Sequence, residues 1–497
     1  MKSASLVFAL LATSLACVST ASCSSDDSPA TAAADGGSDS PTGATLTPSN
    51  ACADAVEAIY GDPGALTGGV AKRGDVLKCV KDPDLTKDAL QAKINELKYA
   101  GKPLTSGAHV YRISYQTERG DAASTPSASS AIVYIPNTPR AAKLPIVVAA
   151  RGSRGQAPQC AVSKFDAMSA GINDDAYRMV YPLVGAGYAV IMTDLAGYAN
   201  FGAAKNPPSA YAQATDIAHS TLDSGRALKK LFPALDDKVV LVGHSQGGHS
   251  ALASLALADT YGSAAPIVGV AVYAPLWLSQ RAFGAVMVRS VGKEFPIDTS
   301  AAPAVSVWYH YTQAELLDGP GEGRKLFPAA KADALEAFVK TTCWEQKLAV
   351  LKPLGTYADE YFDPAFVGSI ARPALGISGD CPPSDAVCLK WQARYAADRP
   401  HLTGAAAATP IFLAYGGKDT TIAPTLMKCA LDRLTAEATK LTTCVDPDQD
   451  HGGIVSATAD RVGDFIASVA LNGPPSAPCA QTAAAVSVPC FEPPPNN

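Results

Sequence analysis

The chain has 497 residues, with 46 acidic and 40 basic side chains and a formal net charge of −6. With no Lys/Arg cluster in it, that balance argues against a nucleic-acid partner. A hydrophobic fraction of 47% against a charged fraction of 17% excludes a chain disordered throughout and is enough for a large core.

At the N-terminus, Lys2 precedes an apolar run from Leu6 to Ala16, too short to span a bilayer but as long as a signal-peptide h-region. The stretch Thr20 to Asp27 (TASCSSDD) resembles the end of a bacterial lipoprotein signal, in which small residues precede a cysteine that becomes lipidated, here Cys23. Thr20 stands where a leucine is usual, and plain secretion after cleavage at Ala16 or Ala21 is the alternative. Residues 1–22 are read as a signal peptide, and 23–50, made of small polar residues with Pro and Gly, as a disordered tether. The chain is thus expected outside a bacterial cell, either free or held at the surface through an N-terminal lipid.

Setting aside Cys17 and Cys23 leaves ten of the twelve cysteines and no C-x-x-C pair. In an exported chain this favours disulfides over zinc or redox chemistry. Five are expected: Cys52–Cys79, Cys381–Cys388, Cys429–Cys444 and Cys479–Cys490 as local pairs, and Cys160–Cys343 from the remainder.

From Ala51 onward the elements alternate. A helical period covers Leu85 to Leu97, and strands are predicted at Val110 to Gln116, Ala131 to Ile135, Leu144 to Ala150 and Tyr188 to Asp194. A helix follows at Asp216 to Leu231, then strands at Lys238 to Gly243 and Ile267 to Tyr273. Two more strands come after a long gap, at Thr409 to Tyr415 and Leu441 to Val445, with a closing helix at Ile454 to Leu471. Buried β-branched runs alternating with helices indicate an α/β class with a mainly parallel sheet covered on both faces. The gap, 276–408, is far longer than an ordinary loop. It is rich in aromatics (Trp277, Phe283, Phe295, Trp308, Tyr309, Tyr311, Phe327, Phe338, Trp344, Tyr357, Tyr361 and Phe362) and has a helical pattern at Leu326 to Val339. It reads as a mostly helical cap, most of its aromatics forming its own core and a minority lining an acyl pocket. The organisation expected is a core in two parts, 51–275 and 409–472, with this insertion between them and a Pro-rich tail at 473–497.

Chemistry centres on Gly243-His244-Ser245-Gln246-Gly247, between a β-branched strand and an Ala/Leu-rich helix. In such an elbow the glycines let strand fold back into helix and leave the serine hydroxyl exposed. The helix N-terminus aims the Gln246 N–H at an oxygen that becomes negative when Ser245 attacks a carbonyl. A second donor is expected from Arg151-Gly152-Ser153-Arg154-Gly155, with the backbone N–H of Ser153 as the candidate. A serine needs a histidine to take its proton and a carboxylate to orient that histidine. Asp419 lies one turn beyond the Thr409 to Tyr415 strand, with Asp380, Asp446 and Asp450 as competitors. Of seven histidines, His109 and His219 precede the elbow, His244 and His249 belong to it, and His310 and His401 fall in the insertion. His451 is left, after the last strand.

Taken in order, SYQTERGDAASTPSASSAIVYIP from Ser114, RGSRGQAPQCA from Arg151, GYAVIMTDLAGY from Gly187, GHSQGG from Gly243, GGKDTTIAP from Gly416 and the DHGG at Asp450 resemble the secretory lipase family of α/β-hydrolases. The resemblance runs from about Ala51 to Asn472. It implies an α/β-hydrolase fold with a large helical cap and hydrolysis of carboxylic esters, often acylglycerols, with Ser245, Asp419 and His451 in the catalytic positions. Bacterial members often carry a His-Gly-Thr-Thr-Gly type oxyanion loop, and here Arg151 and Arg154 replace its first and fourth residues. No cofactor or metal is expected, and the partner is a small-molecule or lipid ester. A peptidase, a feruloyl or polyester esterase and an acyltransferase remain open on the same triad. A non-catalytic surface lipoprotein would have no need of the complete Ser, Asp, His order.

Overall fold

Apolar β-branched runs become strands of one sheet in the computed structural model, which describes residues 46–166, 168, 174–199, 206–276, 296–374, 381–477 and 479. In chain order they are β1 (Val76–Leu85), β2 (Ala108–Glu118), β3 (Pro126–Pro136), β4 (Ile146–Ala150), β5 (Val190–Thr193), β6 (Val239–His244), β7 (Ile267–Tyr273), β8 (Ile411–Gly416) and β9 (Leu441–Asp446). Side by side they run β1-β2-β3-β5-β4-β6-β7-β8-β9. β1, β2, β3 and β5 pair antiparallel in succession, and from β5 across to β9 every pair is parallel. Strands β4, β5, β6 and β8 are buried along their whole length, which is why they read as unbroken apolar runs. Edge strand β1 (VLKCVKDPDL) is half exposed and carries Lys and Asp; the apolar pattern gave no sign of it.

Helices cover both faces. α1 (Val56–Tyr60) lies against β1 and β2; α2 (Lys87–Glu96), α3 (Asp174–Gly185) and the C-terminal helix Gly453–Ala470 pack together on one face, and α4 (Ala214–Leu231) and α5 (Gln246–Tyr261) on the other. Because β5 lies on one side of β4 and β6 on the other, the chain leaves β4 and β6 at a point where the winding reverses. Such a point opens a crevice at the carboxyl ends of the strands. Register brings Ala150 opposite Gly243, His244 opposite Tyr273, and Gly416 opposite Asp446. The loops after β4, β6, β8 and β9 therefore emerge at one edge.

Between β7 and β8 the described residues of the insertion contain no strand. They form α6 (Ala302–Leu317), α7 (Ala332–Thr341), α8 (Pro364–Ala374), α9 (Ala386–Ala397) and shorter turns. Trp308, Tyr309, Tyr311, Phe327, Phe338, Tyr361 and Phe362 are buried in one cluster that also takes in Tyr211 and Ala212 of the core, with Trp308 stacked on Phe338 at 5.3 Å. Beyond β8 come α10 (Pro424–Glu437) and the C-terminal helix, hereafter α11 (Gly453–Ala470). Outside the described residues lie 1–45, with the proposed signal peptide, Cys17, Cys23 and most of the tether, as well as Trp277, Phe283, Phe295, Asp380, Cys490 and nearly all of the tail beyond 477.

Disulfides Cys52–Cys79, Cys160–Cys343 and Cys381–Cys388 form as expected. The expected Cys429–Cys444 and Cys479–Cys490 pairs are overturned, because Cys444 is bonded to Cys479. After α11 the backbone turns at Asn472 (φ 57°) and runs back along the helix. Arg461 Nη1 donates to the Ala477 carbonyl at 2.9 Å, and this return carries Cys479 to the buried thiol of β9. Proximity in sequence was the wrong guide where the chain doubles back.

Asp398, fully buried at the end of α9, joins the insertion to the core. Its Oδ1 accepts the Ala214 N–H at 2.9 Å, its Oδ2 accepts the Tyr309 hydroxyl at 2.7 Å and the Gln313 amide, and its carbonyl accepts His249 Nε2 at 2.6 Å. Burial pushes its pKa up to about 6 from 3.8, against the pull of these donors and of Arg394. The native state thus holds this proton more tightly than the unfolded chain. Its contribution to stability is lost as pH rises from about 4 to about 6, reaching a penalty of roughly 3 kcal/mol. Asp398→Asn keeps an oxygen for Ala214, and Gln313, whose buried Oε1 has no hydrogen-bond partner among the described residues, can turn its amide to accept the new N–H. Denaturant unfolding at pH 4 and pH 7 should show the variant gaining roughly that amount on wild type across the interval.

Candidate active site

Three short approaches build the elbow. A Cβ on Gly243 would lie 2.1 Å from the Gly247 carbonyl oxygen, one on Gly247 1.9 Å from that of Ala150, and one on Gly248 2.7 Å from the Pro275 ring. Only glycine lets β6 fold back into α5 at this distance from β4. Ser245 between them has φ 56° and ψ −120°, a strained conformation for a residue with a side chain. Its backbone is held on both sides. The Ser245 N–H donates to the Tyr273 carbonyl at 2.9 Å, and its own carbonyl accepts the N–H of Leu276 at 2.7 Å, Gly248 at 3.0 Å and His249 at 3.2 Å. α5 begins at Gln246, so the Gln246 N–H belongs to the first turn, whose donors have no partner within the helix.

Asp419 and His451 come from the two loops beyond β8 and β9. Those loops touch backbone to backbone: a Cβ on Gly416 would meet the Gln449 carbonyl at 2.2 Å, and the Lys418 N–H donates to that same carbonyl at 2.9 Å. Asp419 is buried. Its Oδ1 accepts the N–H groups of Thr421 and Ile422, each at 2.8 Å, and its Oδ2 lies 2.7 Å from His451 Nδ1. An ionised carboxylate can only accept, so Nδ1 carries the hydrogen and Nε2 is the basic nitrogen. Ser245, His451 and Ser153 line one cavity of about 330 Å3, with Asp419 behind the histidine. Of the competing carboxylates, Asp450 also lines the cavity, though its Oδ1 is taken by the Gly453 N–H; Asp446 caps its own turn at Asp448.

Other histidines are engaged elsewhere. His109 pairs with Asp84 and His401 with Glu437, while His219 stacks on Tyr261. His249 and His310 are fully buried, which lowers their pKa to about 4 and about 3 and keeps them neutral. His244 is different: its Nε2 donates to the His451 carbonyl at 2.9 Å, and the two rings lie 4.6 Å apart. It positions the loop that carries His451. No local signal marks this role, since the partners are 207 positions apart.

The departures in the 151–155 loop have distinct places. Arg151 is buried behind the loop, donating to the carbonyls of Gly152 at 2.9 Å and Asp194 at 3.1 Å and stacking over Tyr198. Arg154 lines the cavity and pairs with Glu345 of the insertion at 3.3 Å. Ser153 shares a 2.6 Å hydrogen bond between its hydroxyl and that of Tyr211. Arg178, on α3, is a further lining residue, its guanidinium anchored to the Leu97 carbonyl and the Ser456 hydroxyl. Thr420, Thr421 and Trp344 complete much of the wall, and Trp344 is the one large apolar side chain among its described residues.

A strained serine after the sixth strand, with a histidine and its buried carboxylate converging from later strands, is the arrangement of one hydrolase group. The model of the alpha/beta hydrolase family matches residues 170–461, more than half of the chain. The chain belongs to the alpha/beta hydrolase family. Among solved structures, this hydrolase superposes on the rice cell wall degrading esterase LipA from Xanthomonas oryzae with a TM-score of 0.59 at 18% identity, covering 80% of this chain and 99% of that one. A putative hydrolase from Legionella pneumophila gives 0.61 at 16%, covering 79% and 98%. Candida antarctica lipase A gives 0.55 at 17%, covering 86% and 90%. At these identities the likeness is one of fold. No curated protein matches the hydrolase in sequence.

Proposed function

We propose that this hydrolase is an exported serine esterase working through an acyl-enzyme, with Ser245 as nucleophile, His451 as general base and then acid, and Asp419 orienting His451. The observation that carries this reading is the Asp419–His451 hydrogen bond behind a strained serine on the same cavity. Ser245 Oγ adds to the ester carbonyl carbon while its proton passes to His451 Nε2. The resulting oxyanion is received by the backbone N–H groups of Gln246 and Ser153. Collapse breaks the bond to the alcohol oxygen, which leaves with the proton from His451. Water then adds by the same route, the acid departs and Ser245 regains its proton.

Export is supported by the four disulfides among the described residues, which persist in oxidising compartments. No helix among the described residues is long and apolar enough to cross a membrane. Lipidation at Cys23 and the role of 276–408 as a cap on a core of 51–275 and 409–472 belong to the same proposal.

Among the described residues the wall holds Arg154, Arg178, Asp174, Asp450, Thr420 and Thr421 with one Trp, which favours short acyl groups and polar esters over long-chain acylglycerols. On p-nitrophenyl esters from acetate to palmitate, kcat/KM should be at least about tenfold higher for butyrate than for palmitate, each mismatched contact being worth up to a few kcal/mol. A fluorophosphonate should label the peptide that contains Ser245. Faster turnover of palmitate would overturn the short-acyl reading. Absence of both turnover and label would overturn the ester-hydrolase reading itself.

A further inference from the structure

The loop that offers Ser153 has little structure of its own and is held from two sides: by the core, where the Ser153 hydroxyl bonds that of Tyr211, Arg151 donates to the Asp194 carbonyl and the Tyr198 hydroxyl donates to the Gly155 carbonyl, and by the insertion. From Arg151 to Gly155 it is irregular, leading through Pro158–Cys160. Facing it is the end of α7 and the turn after it, Thr341 to Glu345. Cys160 is bonded to Cys343 across 183 positions. The Trp344 N–H donates to the Arg154 carbonyl at 2.9 Å, Gln159 Nε2 donates to the Thr341 carbonyl at 2.6 Å, and Arg154 pairs with Glu345. Gly155, at φ 90°, approaches so closely that a Cβ there would lie 2.5 Å from the Thr342 carbonyl oxygen. Two of the residues so joined, Arg154 and Trp344, also line the cavity.

We propose that the Cys160–Cys343 disulfide is a positioning element for catalysis: it ties the oxyanion loop to the 341–345 turn of the insertion and thereby sets where the Ser153 N–H stands relative to Ser245. This rests on the ester-hydrolase reading above. Because an oxyanion donor acts on the transition state far more than on bound substrate, a displaced loop lowers kcat and leaves KM nearly unchanged. A staple that merely holds the fold together would instead lower thermal stability with kcat intact wherever the protein is folded.

Three purified variants separate these outcomes on p-nitrophenyl butyrate, assayed well below their melting temperatures. Cys160→Ala/Cys343→Ala is expected to lose roughly 10- to 100-fold in kcat, with KM within about threefold of wild type, as for a displaced donor. Cys52→Ala/Cys79→Ala removes a disulfide between β1 and the N-terminal segment and should lose stability while keeping kcat. Gly155→Ala leaves every cysteine in place and pushes the loop away from Thr342, so it should reproduce the kcat loss and serves if the first variant does not fold. Unchanged kcat in Gly155→Ala or in the folded Cys160→Ala/Cys343→Ala protein, or an equal loss in Cys52→Ala/Cys79→Ala, overturns the inference while the active wild type keeps the esterase reading. A wild type that neither turns over esters nor takes the fluorophosphonate label overturns both.

Discussion

Ser245→Ala is expected to lower kcat on p-nitrophenyl butyrate by roughly 10^4- to 10^6-fold and to leave the melting temperature near that of wild type. The serine backbone is fixed by four hydrogen bonds at its N–H and carbonyl, none of which involves the hydroxyl, and alanine meets the same strain at φ 56° that serine does. Asp419→Asn should cost about 10^4-fold for a different reason. Asparagine can still accept the Thr421 and Ile422 N–H groups through its oxygen, which places its NH2 against His451 Nδ1. That contact favours the tautomer with its hydrogen on Nε2, the nitrogen proposed to take the serine proton. The two variants are therefore distinguishable by pH. Raising the pH cannot restore Ser245→Ala, whereas in Asp419→Asn hydroxide can take the Ser245 proton in place of the misoriented histidine, so partial recovery at high pH is expected in that variant alone. Single-turnover kinetics on both, beside wild type, provide the measurement, and a Ser245→Ala protein with wild-type kcat would refute the nucleophile assignment.

Legibility followed burial and chain locality. Ile267–Tyr273 and the strand of the elbow could be read to within a residue or two because they are mostly buried and run through unbroken β-branched stretches. β1 could not, because one face meets solvent and its Lys and Asp side chains look like loop. The helical pattern at Leu326 to Val339 was half right. Arg324–Leu326 forms a separate 3-10 turn, the extended Phe327 (ψ 150°) and Pro328 follow it, and α7 starts only at Ala332, since proline disfavours helix in the residue before it. The elbow residues and the order of Asp419 and His451 are local to strand ends and so were readable. What supports them is not. His244 on the His451 carbonyl, Arg178 on the cavity wall and the Arg154–Glu345 pair each join segments brought together only by the strand order. Cys444 shows the same limit, its partner set by a chain reversal after α11 rather than by spacing.

Gly247→Ala is expected to be the most damaging of the glycine substitutions in α5 and α11, lowering the melting temperature by more than about 10 °C or preventing accumulation of folded protein. Its Cβ would stand 1.9 Å from the Ala150 oxygen, 2.3 Å from the Ala150 carbon and 2.6 Å from the Arg151 oxygen. All three are backbone atoms at the end of a fully buried strand, so no side chain can turn aside. Relief requires the first turn of α5 to move more than about 1 Å from β4, beyond the 1–3 kcal/mol typical of overpacking. The same movement separates the Gln246 N–H from the 151–155 loop, so any folded fraction should be slow as well as unstable. Gly248→Ala meets Pro275 at 2.7 Å from its Cβ and 2.8 Å from its Cα, farther than the 1.9 Å contact of Gly247, and should lose less. Gly463→Ala, in the interior of α11 with nothing within 4 Å of the new methyl, should gain up to about 1 kcal/mol from helix propensity alone. Thermal melts of the three variants test this order, and a Gly247→Ala protein as stable as Gly463→Ala would mean that the elbow does not lie against β4 as closely as its glycines require.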